Sequence, residues 1–90
     1  MQEMRAKVYG RVQMVMFRDF TTRKARGLQL VGYVHNLPDG SVEVVAQGER
    51  AALEKLLERL HEGSILSKVE RVEVAWAAPT QEFRNFSIKY

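Results

Sequence analysis

The chain has 90 residues, 46% hydrophobic and 28% charged, which is the composition of one globular domain and leaves no room for a second core. It has no cysteine and only two histidines, which excludes disulfides and thiolate metal sites and leaves too few ligands for a structural zinc. The net charge of +3 is uneven: residues 1–30 hold seven Lys or Arg and two acids, so an anion would be steered towards this part of the chain.

No apolar run reaches the roughly 18 residues of a membrane span. The N-terminus MQEMRAKVYG has neither the apolar core nor the small-residue cleavage site of a signal peptide. We therefore expect a single cytoplasmic domain over residues 1–90.

The first half of the chain predicts a strand, a helix and a β-hairpin. Met4–Tyr9 alternates between apolar and polar residues, which is typical of a half-buried strand, and Gly10 is expected to end it. Phe17–Leu28 gathers its apolar residues within about 140° of a helical wheel. Two more alternating segments, Leu30–Leu37 and Ser41–Gln47, flank a Pro-Asp-Gly turn, which predicts an antiparallel hairpin.

The second half predicts a helix and two strands. Arg50–Glu62 has leucines at helical spacing, whereas Arg71–Trp76 and Phe86–Tyr90 alternate. The order is βαββαβ plus a short terminal strand, and every strand has one apolar face. We therefore predict an α+β, ferredoxin-like split β-α-β sandwich with two helices on one face of an antiparallel sheet and a wet opposite face.

The segment Gly10–Arg18 joins the first strand to the first helix. Such a junction directs free backbone N–H groups and the positive end of the helix dipole at one point, which suits a phosphate. Arg18, on the first helical turn, can add a bidentate guanidinium. From the spacing alone, a plain connection whose arginines point to water is equally open.

Two motifs resemble the signature of the acylphosphatase family. The first is Gly10-Arg11-Val12-Gln13-x-Val15-x-Phe17-Arg18. The second is Val34-x-Asn36-Leu37-Pro38-Asp39-Gly40-Ser41-Val42-Glu43-Val44. With the closing Phe86-Ser87-Ile88, the resemblance covers essentially the whole chain.

The resemblance implies a small hydrolase of acyl phosphates, R–CO–O–PO₃²⁻, that uses no metal and no cofactor. It implies that Arg18 binds the phosphate and that Asn36 positions the attacking water. It also implies a phosphate cradle made by the loop backbone, that is by Arg11, Val12, Gln13, Met14, Val15, Met16 and Phe17. The implied partner is a small-molecule acyl phosphate, without nucleic acid or membrane, and we expect a monomer.

Met14 departs from the family pattern, because the family has a glycine at this position. If the site requires a positive φ, a residue other than glycine costs about 1–2 kcal/mol. Backbone donors do not depend on side-chain identity, so we expect a formed cradle. The Met14 side chain should then lie outside it, near the mouth where the acyl group sits.

Several alternatives stay open on the residues alone. Asn36 precedes a Leu-Pro-Asp-Gly turn, where asparagine often makes a local hairpin hydrogen bond. The domain could also be a non-catalytic phosphate or anion sensor. An RRM-like nucleic-acid module has the same fold, but the third strand offers no aromatic residue for base stacking. By alternation His35 faces away from Asn36, His61 lies at a helix end, and Tyr90 lies on a strand that can approach the site.

Overall fold

The computed structural model describes residues 1–90 and has five strands and two helices. In chain order they are β1 (Gln2–Arg11), α1 (Phe17–Gly27), β2 (Val31–Asn36), β3 (Val42–Gly48), α2 (Arg50–Glu62), β4 (Lys68–Ala77) and β5 (Phe86–Lys89). This order, with both helices packed on one sheet, confirms the predicted ferredoxin-like α+β fold. Neither helix has the length and apolar character needed to cross a bilayer.

The sheet has the strand order β4-β1-β3-β2-β5. The pairs β1–β4, β1–β3 and β2–β3 are antiparallel, including the predicted hairpin, but β5 runs parallel to β2. The expectation of a wholly antiparallel sheet is therefore wrong for the last strand. Because β4 and β5 lie at opposite edges, residues 78–85 cross the sheet, and β5 enters beside β2 in the same direction. We call residues 78–85 the crossing segment.

The core lies between the two helices and one face of the sheet. On this face the alternating residues of the two central strands are almost fully buried: Met4, Ala6, Val8, Val42, Val44 and Ala46. The helices add Phe17, Ala25, Leu53, Leu56 and Leu60 at the predicted spacing. Burying one Leu or Phe side chain stabilises the fold by roughly 1.5–3 kcal/mol. A one-residue slip would turn these side chains to the other face, so the core fixes the register.

The opposite face is not wet throughout, which corrects the prediction. Glu3, Val45 and Gln47 face away from the helices, yet at most 2% of each is exposed. The crossing segment lies over Glu3 and Gln47, since the backbones of Thr80 and Gln81 hydrogen-bond to these two side chains. The Nε2 group of Gln47 donates to Oε1 of Glu3 at 2.9 Å and to the carbonyl of Gln81 at 2.8 Å. We call Glu3, Arg5 and Gln47 the rear cluster.

Both oxygens of the Glu3 carboxylate accept hydrogen bonds within the rear cluster. Nε of Arg5 donates to its second oxygen at 2.8 Å. Burial raises the pKa of Glu3, but the hydrogen bonds from Gln47 and Arg5 outweigh it and hold the pKa below its usual value.

Strand β1 does not end at Gly10, as the sequence suggested, but continues to Arg11. The pairing of β1 with β4 shifts register between Tyr9 and Gly10, which marks a β-bulge. Gly10 has φ 129°, and a Cβ atom there would overlap the carbonyl of Lys68. Glycine is therefore required for the close strand contact from which the following loop departs.

Candidate active site

Three strands have their carboxyl ends on the side of the sheet where the loop after β1 begins, and we call this end of the strands the site edge. Because β1 and β2 are both antiparallel to β3, they run parallel to each other, and β5 is parallel to β2. Their carboxyl ends therefore all lie at the site edge, together with the loop, Asn36 at the end of β2 and Tyr90 after β5. Helix α1 starts at the same edge, so its positive end faces this group.

The loop curls its backbone around one point. Met14 and Met16 have left-handed φ angles of 60° and 61°, and Val15 between them does not. Such alternation turns successive N–H groups towards a common centre and forms an anion-binding concavity. None of the backbone N–H groups from Val12 to Arg18 donates to a backbone carbonyl. The helical hydrogen bonds begin later, where the N–H of Phe20 donates to the carbonyl of Met16 at 3.0 Å. We call the backbone from Val12 to Arg18 the cradle.

The two methionine side chains leave the cradle open. Met14 is 97% exposed and Met16 is 70% exposed, whereas Val12 and Phe17 are buried and anchor the loop in the core. The methionines border a cavity of about 120 Å³, which also touches Arg18 and Ile88. Met14 thus has the positive φ that normally favours glycine, and its side chain lies outside the cradle, as expected.

Arg18 projects from the first turn of α1 without a carboxylate partner. The nearest acid in sequence, Asp19, instead pairs with Nε of Arg23 at 3.2 Å. The guanidinium carbon of Arg18 lies 5.1 Å from the centre of the Tyr90 ring, a cation–π distance. The ring orients the guanidinium without neutralising its charge, so its N–H groups can still bind an anion.

Asn36 ends β2 on the face that carries the helices, since it has the same parity as buried Val34. Its side-chain oxygen Oδ1 is buried and accepts no hydrogen bond from the protein. The turn is instead held by Asp39, which accepts the backbone N–H of Ser41 at 2.9 Å and the hydroxyl of Ser41. The hairpin hydrogen bonds of the turn are therefore not made by the Asn36 side chain.

Gln13 joins the cradle to the turn after Asn36, which the sequence did not predict. Its Nε2 group donates to the carbonyl of Leu37 at 2.8 Å and to that of Ser41 at 2.9 Å. The family resemblance implies a role only for the backbone of Gln13. A glutamine in a loop carries no sequence signal for a partner 24 residues away, so this brace became visible only in the structure.

The remaining candidates lie around this site or away from it. Arg11 is exposed at the end of β1, opposite Lys68, so it borders the cradle. His35 lies on the far face, as predicted, where Nδ1 is 3.0 Å from the carbonyl of Lys89. His61 lies exposed in the last turn of α2. No group of three His, Cys, Asp or Glu side chains is arranged to hold a metal ion.

A family model described as acylphosphatase matches residues 4–88. The chain belongs to the acylphosphatase family. It is an enzyme that hydrolyses acyl phosphates to a carboxylate and orthophosphate. Its substrate is therefore a small molecule. This agrees with the predicted activity.

Relatives and a solved structure give the same family. An acylphosphatase of Methanococcoides burtonii is 51% identical over 93% of this chain and 90% of its own length. One from Thermus thermophilus is 55% identical over 79% of this chain and 81% of its own length. The crystal structure of an acylphosphatase from Bacillus subtilis superposes with a TM-score of 0.97 at 39% identity, and the match covers 100% of both chains.

Proposed function

We propose that the cradle and Arg18 hold the phosphoryl group of the acyl phosphate. The free N–H groups converge at the start of α1, where the helix dipole favours negative charge. The guanidinium of Arg18 adds two parallel donors for two phosphoryl oxygens. Because these donors are fixed before the substrate arrives, they stabilise the charge that redistributes over the phosphoryl oxygens in the transition state.

We propose that Asn36 positions the attacking water. A buried amide oxygen without a donor costs about 1–3 kcal/mol, and a water that donates to Oδ1 removes this cost. Such a water is held at the edge that also carries the cradle. The unpartnered Oδ1 of Asn36 at this edge is the observation that carries the assignment.

The reaction then needs little proton chemistry from the protein. The water oxygen forms a bond to phosphorus while the bond from phosphorus to the carboxylate oxygen breaks. The leaving carboxylate has a conjugate acid with a pKa near ~4, so no general acid is required to expel it. The water proton passes to a phosphoryl oxygen of the substrate, so no side-chain base and no metal enters the scheme.

The test is hydrolysis of benzoyl phosphate in EDTA by the native enzyme, Arg18→Gln and Asn36→Ala. We expect Arg18→Gln to lower kcat/KM and to weaken orthophosphate binding. Asn36→Ala should lower kcat by roughly 10²–10³, the typical loss for one preorganised group, with orthophosphate binding unchanged. The exposed variants Arg84→Gln and Asn85→Ala, on the crossing segment, are matched controls and should behave as native.

Three results would contradict the proposal. Loss of orthophosphate binding in Asn36→Ala would place this side chain on the phosphate instead of the water. Native-like kcat/KM in Arg18→Gln would leave the cradle backbone as the whole phosphate site. Loss of native turnover in EDTA, restored by added Mg²⁺, would contradict the scheme without a metal.

We also propose that the enzyme acts as a cytoplasmic monomer without a nucleic-acid partner. On β3, where an RRM stacks bases, Val45 and Gln47 are buried, and Gln47 contacts the crossing segment. The guanidinium carbon of Arg71 lies 3.9 Å from the centre of the Tyr9 ring on β1 and covers it. Cell fractionation tests the location, sedimentation equilibrium tests the monomeric state, and a titration with single-stranded RNA tests the absence of a nucleic-acid partner.

A further inference from the structure

A second and larger cavity lies beside the cradle. It measures about 530 Å³, within the range of small-molecule sites. One wall is formed by Val15, Met16 and Phe20, and the other by Gly63–Leu66 in the connection between α2 and β4. Met16 borders both this cavity and the 120 Å³ cavity, so the two are neighbours across one side chain.

The far wall is fastened to the cradle loop. The hydroxyl of Ser64 donates to the carbonyl of Val15 at 3.3 Å, and the hydroxyl of Ser67 closes the connection by donating to the carbonyl of Ser64 at 2.9 Å. The walls are therefore held at a set distance from the loop that binds the phosphoryl group.

The lining is mostly apolar, with Val15, Met16, Phe20, Ile65 and Leu66 among its nine residues. Ile65 and Leu66 are 100% and 65% exposed, and together with Met16 they form a contiguous apolar surface that a soluble domain rarely exposes without a use. Of the two cations at the rim, Arg23 pairs with Asp19, and the Lys24 ammonium lies 5.7 Å from the centre of the Phe20 ring. Because apolar side chains form most of the lining and Arg23 already has a carboxylate partner, the cavity offers more contact to an apolar group than to a second anion.

We propose that this cavity is the acyl subsite of the enzyme and selects substrates with an extended apolar acyl group. The inference rests on the proposed function, since a phosphoryl group in the cradle tethers the acyl group within a few bonds of Met16. The acyl chain then covers Ile65 and Leu66, and burial of its methylenes strengthens binding. An acetyl group is too short to reach these side chains and gains nothing from them.

The test compares hexanoyl phosphate with acetyl phosphate on the native enzyme and on the double variant Ile65→Ser/Leu66→Ser. We expect the native enzyme to have the higher kcat/KM for hexanoyl phosphate. The double variant should lose roughly tenfold on hexanoyl phosphate and nothing on acetyl phosphate, because one or two buried methylenes give discrimination of this size. Ile65→Leu/Leu66→Met keeps the surface apolar and should retain the native preference.

A readout without turnover separates this proposal from the catalytic assignments. Hexylphosphonate should bind the native chain more tightly than methylphosphonate, and the double serine variant should remove the difference. Equal binding of both phosphonates, with acetyl phosphate hydrolysis still dependent on Arg18, would overturn the acyl subsite and leave the proposed function intact. Acetyl phosphate hydrolysis that ignores Arg18→Gln would instead count against the proposed function.

A second outcome would also overturn the subsite. In this outcome the native chain is a dimer in sedimentation, the double serine variant is a monomer, and the substrate preference is unchanged. The apolar surface would then be the contact with a second copy of the chain. Because Ile65 and Leu66 are exposed, both double variants should keep the native melting temperature, and any loss on hexanoyl phosphate then reports binding.

Discussion

The cradle and the rear cluster lie at opposite ends of β1 and treat their polar groups in opposite ways. In the rear cluster each Glu3 oxygen accepts a hydrogen bond, and Gln47 donates twice. At the other end of β1, the backbone N–H groups of the cradle donate to no backbone carbonyl, and the Arg18 side chain has no carboxylate partner. Oδ1 of Asn36, at the same end of the sheet, accepts no hydrogen bond from the protein. One strand thus connects a satisfied polar site to an unsatisfied one.

The two sites differ in their effect on the stability of this small fold. Satisfied buried polar groups stabilise and rigidify a domain, whereas unsatisfied ones and left-handed non-glycine residues destabilise it. Groups that destabilise the free protein are the ones that a ligand can satisfy. Changes in the rear cluster should therefore alter stability and spare activity, whereas loss of a ligand-binding group at the cradle should lower activity more than stability.

The largest stability effect is expected for Glu3→Ala. The variant takes the acceptor from a buried Gln47 donor and the partner from Arg5, so the free energy of unfolding should fall by about 2 kcal/mol at pH 7. Denaturant unfolding measures this loss. Benzoyl phosphate hydrolysis by the folded variant should match the native rate.

The pH dependence of this loss follows from the depressed pKa of Glu3. A carboxylate whose folded pKa is below its unfolded value of 4.5 stabilises the protein above that value and loses the contribution as the pH falls. The difference in unfolding free energy between native and Glu3→Ala should therefore narrow as the pH falls below 4.5. Glu70→Ala, at an exposed and unpaired carboxylate, is the control and should show neither effect. A gap that widens in acid would contradict the assigned sign.

A smaller effect on stability, joined to an effect on activity, is expected for Gln13→Leu. The carbonyls of Leu37 and Ser41 lose the Gln13 donor but keep a backbone donor each, so the cost should be about 1 kcal/mol. The cradle and the turn beside Asn36 lose their link, and kcat should fall with little change in orthophosphate binding.

Gln13→Glu keeps the shape of the side chain and removes both donors, so it separates packing from hydrogen bonding. It should impair kcat at least as much as Gln13→Leu. If Gln13→Glu retains native kcat at pH 7, the two hydrogen bonds do not position Asn36.

The sequence was informative where local pattern decides the structure. Alternation in the chain predicted the faces of Met4, Ala6 and Val8, and helical spacing placed both helices. It failed for β5, whose direction depends on a crossing segment with no periodic pattern. It also failed for Glu3 and Gln47, since polar residues on an alternating strand predict exposure until something covers them.

The site shows the same division between local and distant information. Two motifs that resemble the family signature pointed to the loop, Arg18 and Asn36, and the structure brings these residues to the same end of the sheet. The brace by Gln13 depends on a partner 24 positions away, for which a single sequence carries no signal. The order of the strands indicated that Tyr90 can approach the site, but not that its ring contacts Arg18, 72 positions away. The larger cavity depends on the connection after α2, whose apolar residues the sequence did not connect with the loop.

The smallest effect is expected for Met14→Gly, which alters the cradle without changing a donor. Glycine removes the strain of the left-handed conformation, about 1–2 kcal/mol, but adds freedom to the unfolded chain worth about 0.5–1 kcal/mol. Gln29 has φ 59° outside the site, so Gln29→Gly should give a similar small gain in stability. Because the backbone directs the N–H groups, kcat for acetyl phosphate should stay near native in both variants. A large rise in kcat confined to Met14→Gly would show that the exposed side chain obstructs the cradle, and would place the limit on turnover at its mouth.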